Sequence, residues 1–242
     1  MFNSPYEILL SPLLIAQGLY TKFKTPRLAE AQGQREGSIG QGENLRLILC
    51  GDSAAAGVGA NLQQEALSGQ VLHLLQEYYQ CQWCLEAKSG YTSAAFITHL
   101  EQLTAQNFDI AIVSIGVNDV TKIVSIETWN KNIAKIHTLL TQKFAVKYVI
   151  YSAIPAMQQF PALPFPLRYF LGKTAQQMNR QLQEKYNNKK DSTVLSIQLP
   201  ITTHYMAHDG FHPNPVGYTL WAQHVVQLVL QYQNKIPPKI DY

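Results

Sequence analysis

A chain of 242 residues that is 46% hydrophobic and only 14% charged has enough apolar material for one large domain, which excludes a disordered chain. The net charge is +3, and the only tight basic clusters are Lys22 to Arg27 and Lys189-Lys190, so no phosphate-tracking stripe exists and nucleic acid is excluded as a partner. Three cysteines, Cys50, Cys81 and Cys84, are too few for a disulfide framework; Cys81-Gln-Trp-Cys84 lacks two further zinc ligands and starts a strand rather than a helix, so ordinary packing cysteines are expected.

The N-terminal segment is apolar from Ile8 to Leu19 but interrupted by Ser11, Pro12 and Gln17. It is short of the ~20 apolar residues of a membrane span. Glu7 and the absence of Lys or Arg among the first seven residues argue against a secretory signal, and a cytoplasmic protein is expected. The remaining reading is a helix within residues 1–30 that docks on the domain or lies on a membrane surface, with Lys22, Lys24 and Arg27 near anionic head groups. Docking on the domain is preferred. Gly-rich polar residues 32–44 read as a linker, which divides the chain into an N-terminal apolar helical segment with linker (1–44) and a domain of residues 45–242.

From Leu45 strands and helices alternate. Leu47-Ile48-Leu49-Cys50 is an uninterrupted apolar run, as in a parallel strand covered on both faces, and it stops at Gly51-Asp52-Ser53. Leu67, Val71, Leu74, Leu75 and Tyr78 recur at helical spacing. A strand over 82–87 leads to the small-residue turn Ser89-Gly90-Tyr91-Thr92-Ser93 and a helix to about Thr104. Asp109 to Ser114 is a third strand, ending in Gly116-Val117-Asn118-Asp119. Trp129, Ile133, Ile136, Leu140 and Phe144 line a helix, and Lys147 to Ser152 is a fourth strand. Pro155, Pro161, Pro164 and Pro166 forbid regular structure in the next stretch, so a long loop is expected until a helix at Gly172–Asn187. A short strand near Val194 to Ile197 and a helix carrying Trp221, Val225, Leu228 and Tyr232 complete the chain. Alternating βα units imply a parallel sheet with helices on both faces and a ligand site at the strands' C-terminal ends.

Those ends carry reactive residue types. A serine hydroxyl needs a base to accept its proton, and the base needs a carboxylate to fix its tautomer. Asp209 and His212, three apart across Gly210, supply that pair for Ser53. The backbone N–H of Ser53, Gly90 and the side-chain amide of Asn118 are candidate donors to a developing oxyanion. Each of these residues has a plainer reading: Ser53 as a helix cap, Asn118 and Asp119 as a turn pair. The plainer reading is kept for Asp119, and Asp52 is assigned to holding the turn that presents Ser53. Competing chemistries are weaker. His204, His208, Asp209 and His212 crowd one stretch as metal ligands would, but without an HExxH and with no role for Ser53. The Gly57-Val58-Gly59 turn lacks a P-loop lysine and a third Rossmann glycine, and no G-x-S-x-G is present. A catalytically silent binding module on the same fold is the remaining alternative.

Gly51-Asp52-Ser53, Gly90 in SGYTS, Gly116-Val117-Asn118-Asp119 and Asp209-Gly210-Phe211-His212 resemble, in order and spacing, the four sequence blocks of the SGNH (GDSL-type) hydrolases. The resemblance covers about residues 45–232. It implies a flavodoxin-like three-layer α/β/α fold with a five-stranded parallel sheet. It further implies Ser53 as nucleophile, Asp209 and His212 completing a triad, and Ser53, Gly90 and Asn118 as an oxyanion hole. The implied reaction is hydrolysis of carboxylic esters, thioesters or related acyl compounds, with no metal or other cofactor, on a small-molecule or lipid substrate. Ala54 stands where the family often has leucine, a packing position. The proline-rich loop is similar to that of a bacterial subgroup. Its Met157, Phe160, Leu163, Phe165 and Phe170 are expected either to wall an acyl pocket or to fill the core.

Overall fold

In the computed structural model, which describes residues 5–196 and 201–235, the apolar run at Leu47 becomes the middle of strand β2 (Asn44–Gly51). Leu47, Ile48, Leu49 and Cys50 are all essentially inaccessible. A strand buried on both faces must be covered by helices on both, and it is. Helices α2 (Leu67–Leu75) and α7 (Pro215–Tyr232) pack on one side. On the other lie α3 (Ser93–Gln102), α5 (Ile126–Thr138) and α6 (Leu167–Tyr186).

Five strands run parallel in the order β3 (Gln80–Ala87), β2, β4 (Ile110–Ser114), β5 (Tyr148–Ser152) and β6 (Ser192–Leu195). Counted along the chain this is the 2-1-3-4-5 order of flavodoxin-like sheets, whose switch point lies between the first and third parallel strands. Here that is the gap between β2 and β4, the strands that lead into Ser53 and Asn118.

The sheet corrects the expectation of five all-parallel strands. A sixth, β1 (Glu36–Ile39), pairs antiparallel with β3 at the edge. It lies within the stretch read as linker, and all four residues are exposed, so no alternation of apolar and polar residues announces it. Arg35 fastens this stretch by donating to the carbonyls of Leu85 and Ala87 and to Glu30. At the opposite end of the sheet Asp109 accepts from Arg46 and pairs with Lys147, bracing three neighbouring strands. Burial favours its neutral form, yet those bonds hold its carboxyl down to about 2.

Two further boundaries differ from expectation. Helix α6 starts at Leu167 rather than Gly172, because proline is tolerated at a helix start and Pro166 sits directly before the first turn. The fifth parallel strand is Ser192–Leu195; Ile197 lies outside the described residues. At the N-terminus α1 (Pro5–Lys24) extends past the apolar run and keeps Pro12 inside. Leu14 is buried in the core, with Leu10 packed against it. The Gln17 side chain donates to the Phe165 carbonyl and accepts from the Leu167 N–H, which clamps α1 to the start of α6.

Candidate active site

The serine turn begins with a close approach of two strands. Gly51 has φ +145°, and a Cβ there would lie 1.8 Å from the Ser114 carbonyl oxygen, so only glycine lets β2 end beside β4. The Asp52 N–H then donates to that same carbonyl at 2.9 Å, and the Ala56 and Val58 N–H groups close the turn on the carbonyls of Asp52 and Ser53.

The second half of the site comes from the loop before α7. Met206 and Pro213 form an antiparallel bridge, the Ala207 N–H donates to the His212 carbonyl, and Asn214 caps α7 by accepting from the Gly217 N–H. Tyr218, one turn into α7, donates its hydroxyl to the Val58 carbonyl at 2.7 Å and so fixes this loop against the serine turn. The result is a continuous line of contacts: Ser53 Oγ is 2.8 Å from His212 Nε2, and His212 Nδ1 is 2.6 Å from Asp209 Oδ2. Asp209 Oδ1 also accepts the N–H groups of Phe211 and His212. Its side chain is 1% exposed. Burial alone would raise this carboxyl, but the bonds from the His212 ring and from the two backbone N–H groups outweigh it and hold it below the usual carboxylate range. It is therefore an anion at neutral pH, placed to keep the Nδ1 proton on His212 and leave Nε2 facing the serine.

Gly90 has φ +86°, with open space where a side chain would begin, so glycine is required here by the backbone conformation. Among the described residues neither its N–H nor that of Ser53 has an acceptor. Asn118, in α4 (Val117–Thr121), donates one amide hydrogen to the Tyr91 carbonyl at 3.0 Å, which orients the group and leaves its second hydrogen available. Ser53, Gly90, Asn118 and His212 all line one cavity of about 1250 Å³.

Asp119 points away from it. Fully buried, it accepts from the N–H and hydroxyl of Ser93, whose Oγ in turn accepts from Asn132. The carboxylate thus ties α4 to α3 and α5. His204 and His208 are exposed, and among the described residues no group of His, Cys, Asp or Glu could hold a metal ion.

Asp52 is buried, its Oδ1 accepting from the Ala54 N–H while Oδ2 has no partner among the described residues. Burial chiefly raises its carboxyl, from 3.8 to about 7. A carboxyl that holds its proton more tightly in the folded than in the unfolded chain costs stability as it ionises, so this group lowers stability as pH rises from 3.8 towards 7. Asp52→Asn cannot ionise and should flatten that fall. Melting temperatures of both proteins across the range test this, and parallel curves would assign the slope to another group.

The proline-rich loop divides between the two readings open to it. Leu163 and Phe170 line the cavity, but Met157 and Phe160 turn into the core and Phe165 is 69% exposed. A tight turn over Met157–Gln159 folds the first two inward, and Phe160 meets Phe211 edge-on at 5.0 Å. The other lining residues include Leu14, Ile15 and Leu19 of α1 and Val117 and Ile123 around α4. The sequence signal for the former was the N-terminal apolar run itself, too short to span a membrane and too apolar to lie in water.

Residues 49–220 match the model of the GDSL-like lipase/acylhydrolase family, most of the chain. The chain belongs to that family. It is thus a hydrolase of the GDSL/SGNH type. Solved structures with the same fold include psychrotrophic esterase EstA from a Pseudoalteromonas species, with 18% identity, 78% of this chain and 99% of that one covered, and a TM-score of 0.58. A lipase/acylhydrolase from Enterococcus faecalis has 18% identity, covers 81% of this chain and 100% of its own, and gives 0.56. Acetylxylan esterase Axe2 from Geobacillus stearothermophilus has 19% identity, covers 84% and 99%, and gives 0.57. No curated protein matches on sequence.

Proposed function

We propose that this GDSL hydrolase is a serine esterase acting on carboxylic acyl esters, thioesters included, through an acyl-enzyme. The observation that carries the reading is the hydrogen-bonded line from Ser53 through His212 to Asp209, with both links under 3 Å. Ser53 Oγ attacks the acyl carbonyl as His212 Nε2 takes its proton, and the Asp209 carboxylate stabilises the imidazolium that forms. The N–H groups of Ser53 and Gly90 and the Asn118 amide receive the negative charge on the carbonyl oxygen. His212 then returns the proton to the departing alcohol or thiol, and a water deprotonated by His212 releases the acid. The apolar lining, Leu163 and Phe170 among it, suits an acyl chain.

Two measurements test the assignment. A phosphonate ester should label Ser53 in a one-to-one ratio, read by mass spectrometry of the Leu45–Gly57 region; the EstA structure was itself obtained with monoethylphosphonate as inhibitor. Label on another residue, or none, overturns the mechanism. Asn118→Ala should lower kcat by roughly 100- to 1000-fold with little change in KM, since the lost donor acts on charge that develops only in the transition state. A near-normal kcat would strike Asn118 from the oxyanion donors.

A further inference from the structure

Helix α1 is apolar on two opposite faces, and only one of them meets the protein. Leu10, Leu14, Gln17 and Thr21 face the domain. Leu9, Leu13, Ile15, Leu19, Tyr20 and Phe23 are 45–93% exposed. At 3.6 residues per turn these six occupy an arc of about 160° with no charged residue inside it. Lys22 and Lys24 fall just beyond its two edges, and Arg27 follows. A helix apolar all round is normally buried all round. Here half of it is uncovered.

The uncovered arc runs into the cavity that holds Ser53. Ile15 and Leu19 belong to both, at 61% and 65% exposure, and Ile123, 41% exposed, continues this lip on the α4 side. Lys22, Arg27, Lys122 and Lys173 line the same cavity, and among the described residues the only acidic one in the lining is Asp209, which His212 engages. An apolar stripe edged by cations, continuous with an apolar cavity with a cationic rim, is complementary to a surface that is negative outside and hydrocarbon beneath. No helix among the described residues is long and apolar enough to cross a membrane, and a helix with one apolar face edged by cations is the kind that lies in an interface plane.

We propose that α1 seats the enzyme on an anionic bilayer, with its outer stripe embedded at the head-group boundary, so that the cavity it roofs draws its acyl ester from the membrane. The seating itself is independent of catalysis; the origin of the substrate rests on the serine esterase reading. Lys22, Lys24 and Arg27 are each worth about fivefold in binding near such a surface, and each fully embedded leucine or phenylalanine about tenfold or more.

The test uses the full chain carrying Ser53→Ala, which spares the lipid, sedimented with vesicles of phosphatidylcholine alone or of equal parts phosphatidylcholine and phosphatidylglycerol. Co-sedimentation with the mixed vesicles, stronger than with phosphatidylcholine alone and weakened in high salt, is expected. Adding Leu9→Gln, Leu13→Gln and Phe23→Gln, none of which lines the cavity, should lower partitioning at least tenfold without shifting the melting temperature. With Ser53 restored, that triple variant should cleave a short soluble p-nitrophenyl ester at the parent's rate but lose activity on a long-chain ester held in vesicles. Absence of binding to either vesicle, or equal binding by the triple variant, overturns the proposal. So does a lipid-free dimer that the triple variant dissolves, which would give the stripe to a second copy of the chain. Retained turnover by Ser53→Ala would instead defeat the serine mechanism and leave the seating standing.

Discussion

Ser53→Ala should lower kcat for a p-nitrophenyl ester by about a millionfold, the scale of loss when a serine nucleophile is removed from an assembled triad. The substitution deletes one hydroxyl whose hydrogen-bond partner is His212, and Ser53 is only half-buried, so the fold has little to lose. A single such bond is worth about 1 kcal/mol net. The backbone N–H of residue 53 survives, and with it part of the oxyanion site, so KM should move little. What remains is catalysis by binding and charge stabilisation alone, about 1,000- to 10,000-fold over water. Single-turnover kinetics give the cleaner reading, because the acyl-enzyme burst of the parent should vanish with the steady-state rate. A variant turning over within about tenfold of the parent would remove Ser53 from the chemistry.

The geometry of the candidate site was largely legible in the sequence because Ser53 and Asn118 each follow a strand whose apolar run is unambiguous. Leu47–Cys50 and Ile110–Ser114 are buried on both faces and read as continuous hydrophobic stretches. Asp209 and His212 are joined by local geometry, since three residues and a glycine suffice to bring carboxylate and ring together. Asp119 also fits its structural reading, although its partner Ser93, 26 residues away, could not be found by spacing. The roof of the cavity was not legible. Residues such as Ile15 and Ile123 meet there only through the docking of α1 on α6, which depends on Gln17 reaching the backbone near Phe165, a contact across 148 positions. Strand β1 left no trace for the opposite reason: apart from Arg35 beside it, it is held by backbone pairing, which any residues with accessible N–H and C=O groups can supply.

Asp209→Asn should cost about 10,000-fold in kcat while leaving the loop intact, because it exchanges a tautomer rather than a shape. The asparagine oxygen can still accept the N–H groups of Phe211 and His212, now held by Asp209 Oδ1 at 2.9 and 3.0 Å. The amide nitrogen then takes the place of Oδ2, 2.6 Å from His212 Nδ1, and must donate where the carboxylate accepted. His212 is driven to carry its proton on Nε2, which faces Ser53, and a nitrogen already bearing a proton cannot take the serine's. Stability adds a second readout with a defined sign. Asp209 is held below its ordinary value of 3.8, so its ionisation stabilises the fold at neutral pH, and that contribution disappears as pH falls through its folded value. The asparagine variant should therefore be less stable than the parent at neutral pH and approach it in acid. Full activity in a variant with this stability profile would show that the carboxylate braces the loop without serving the base.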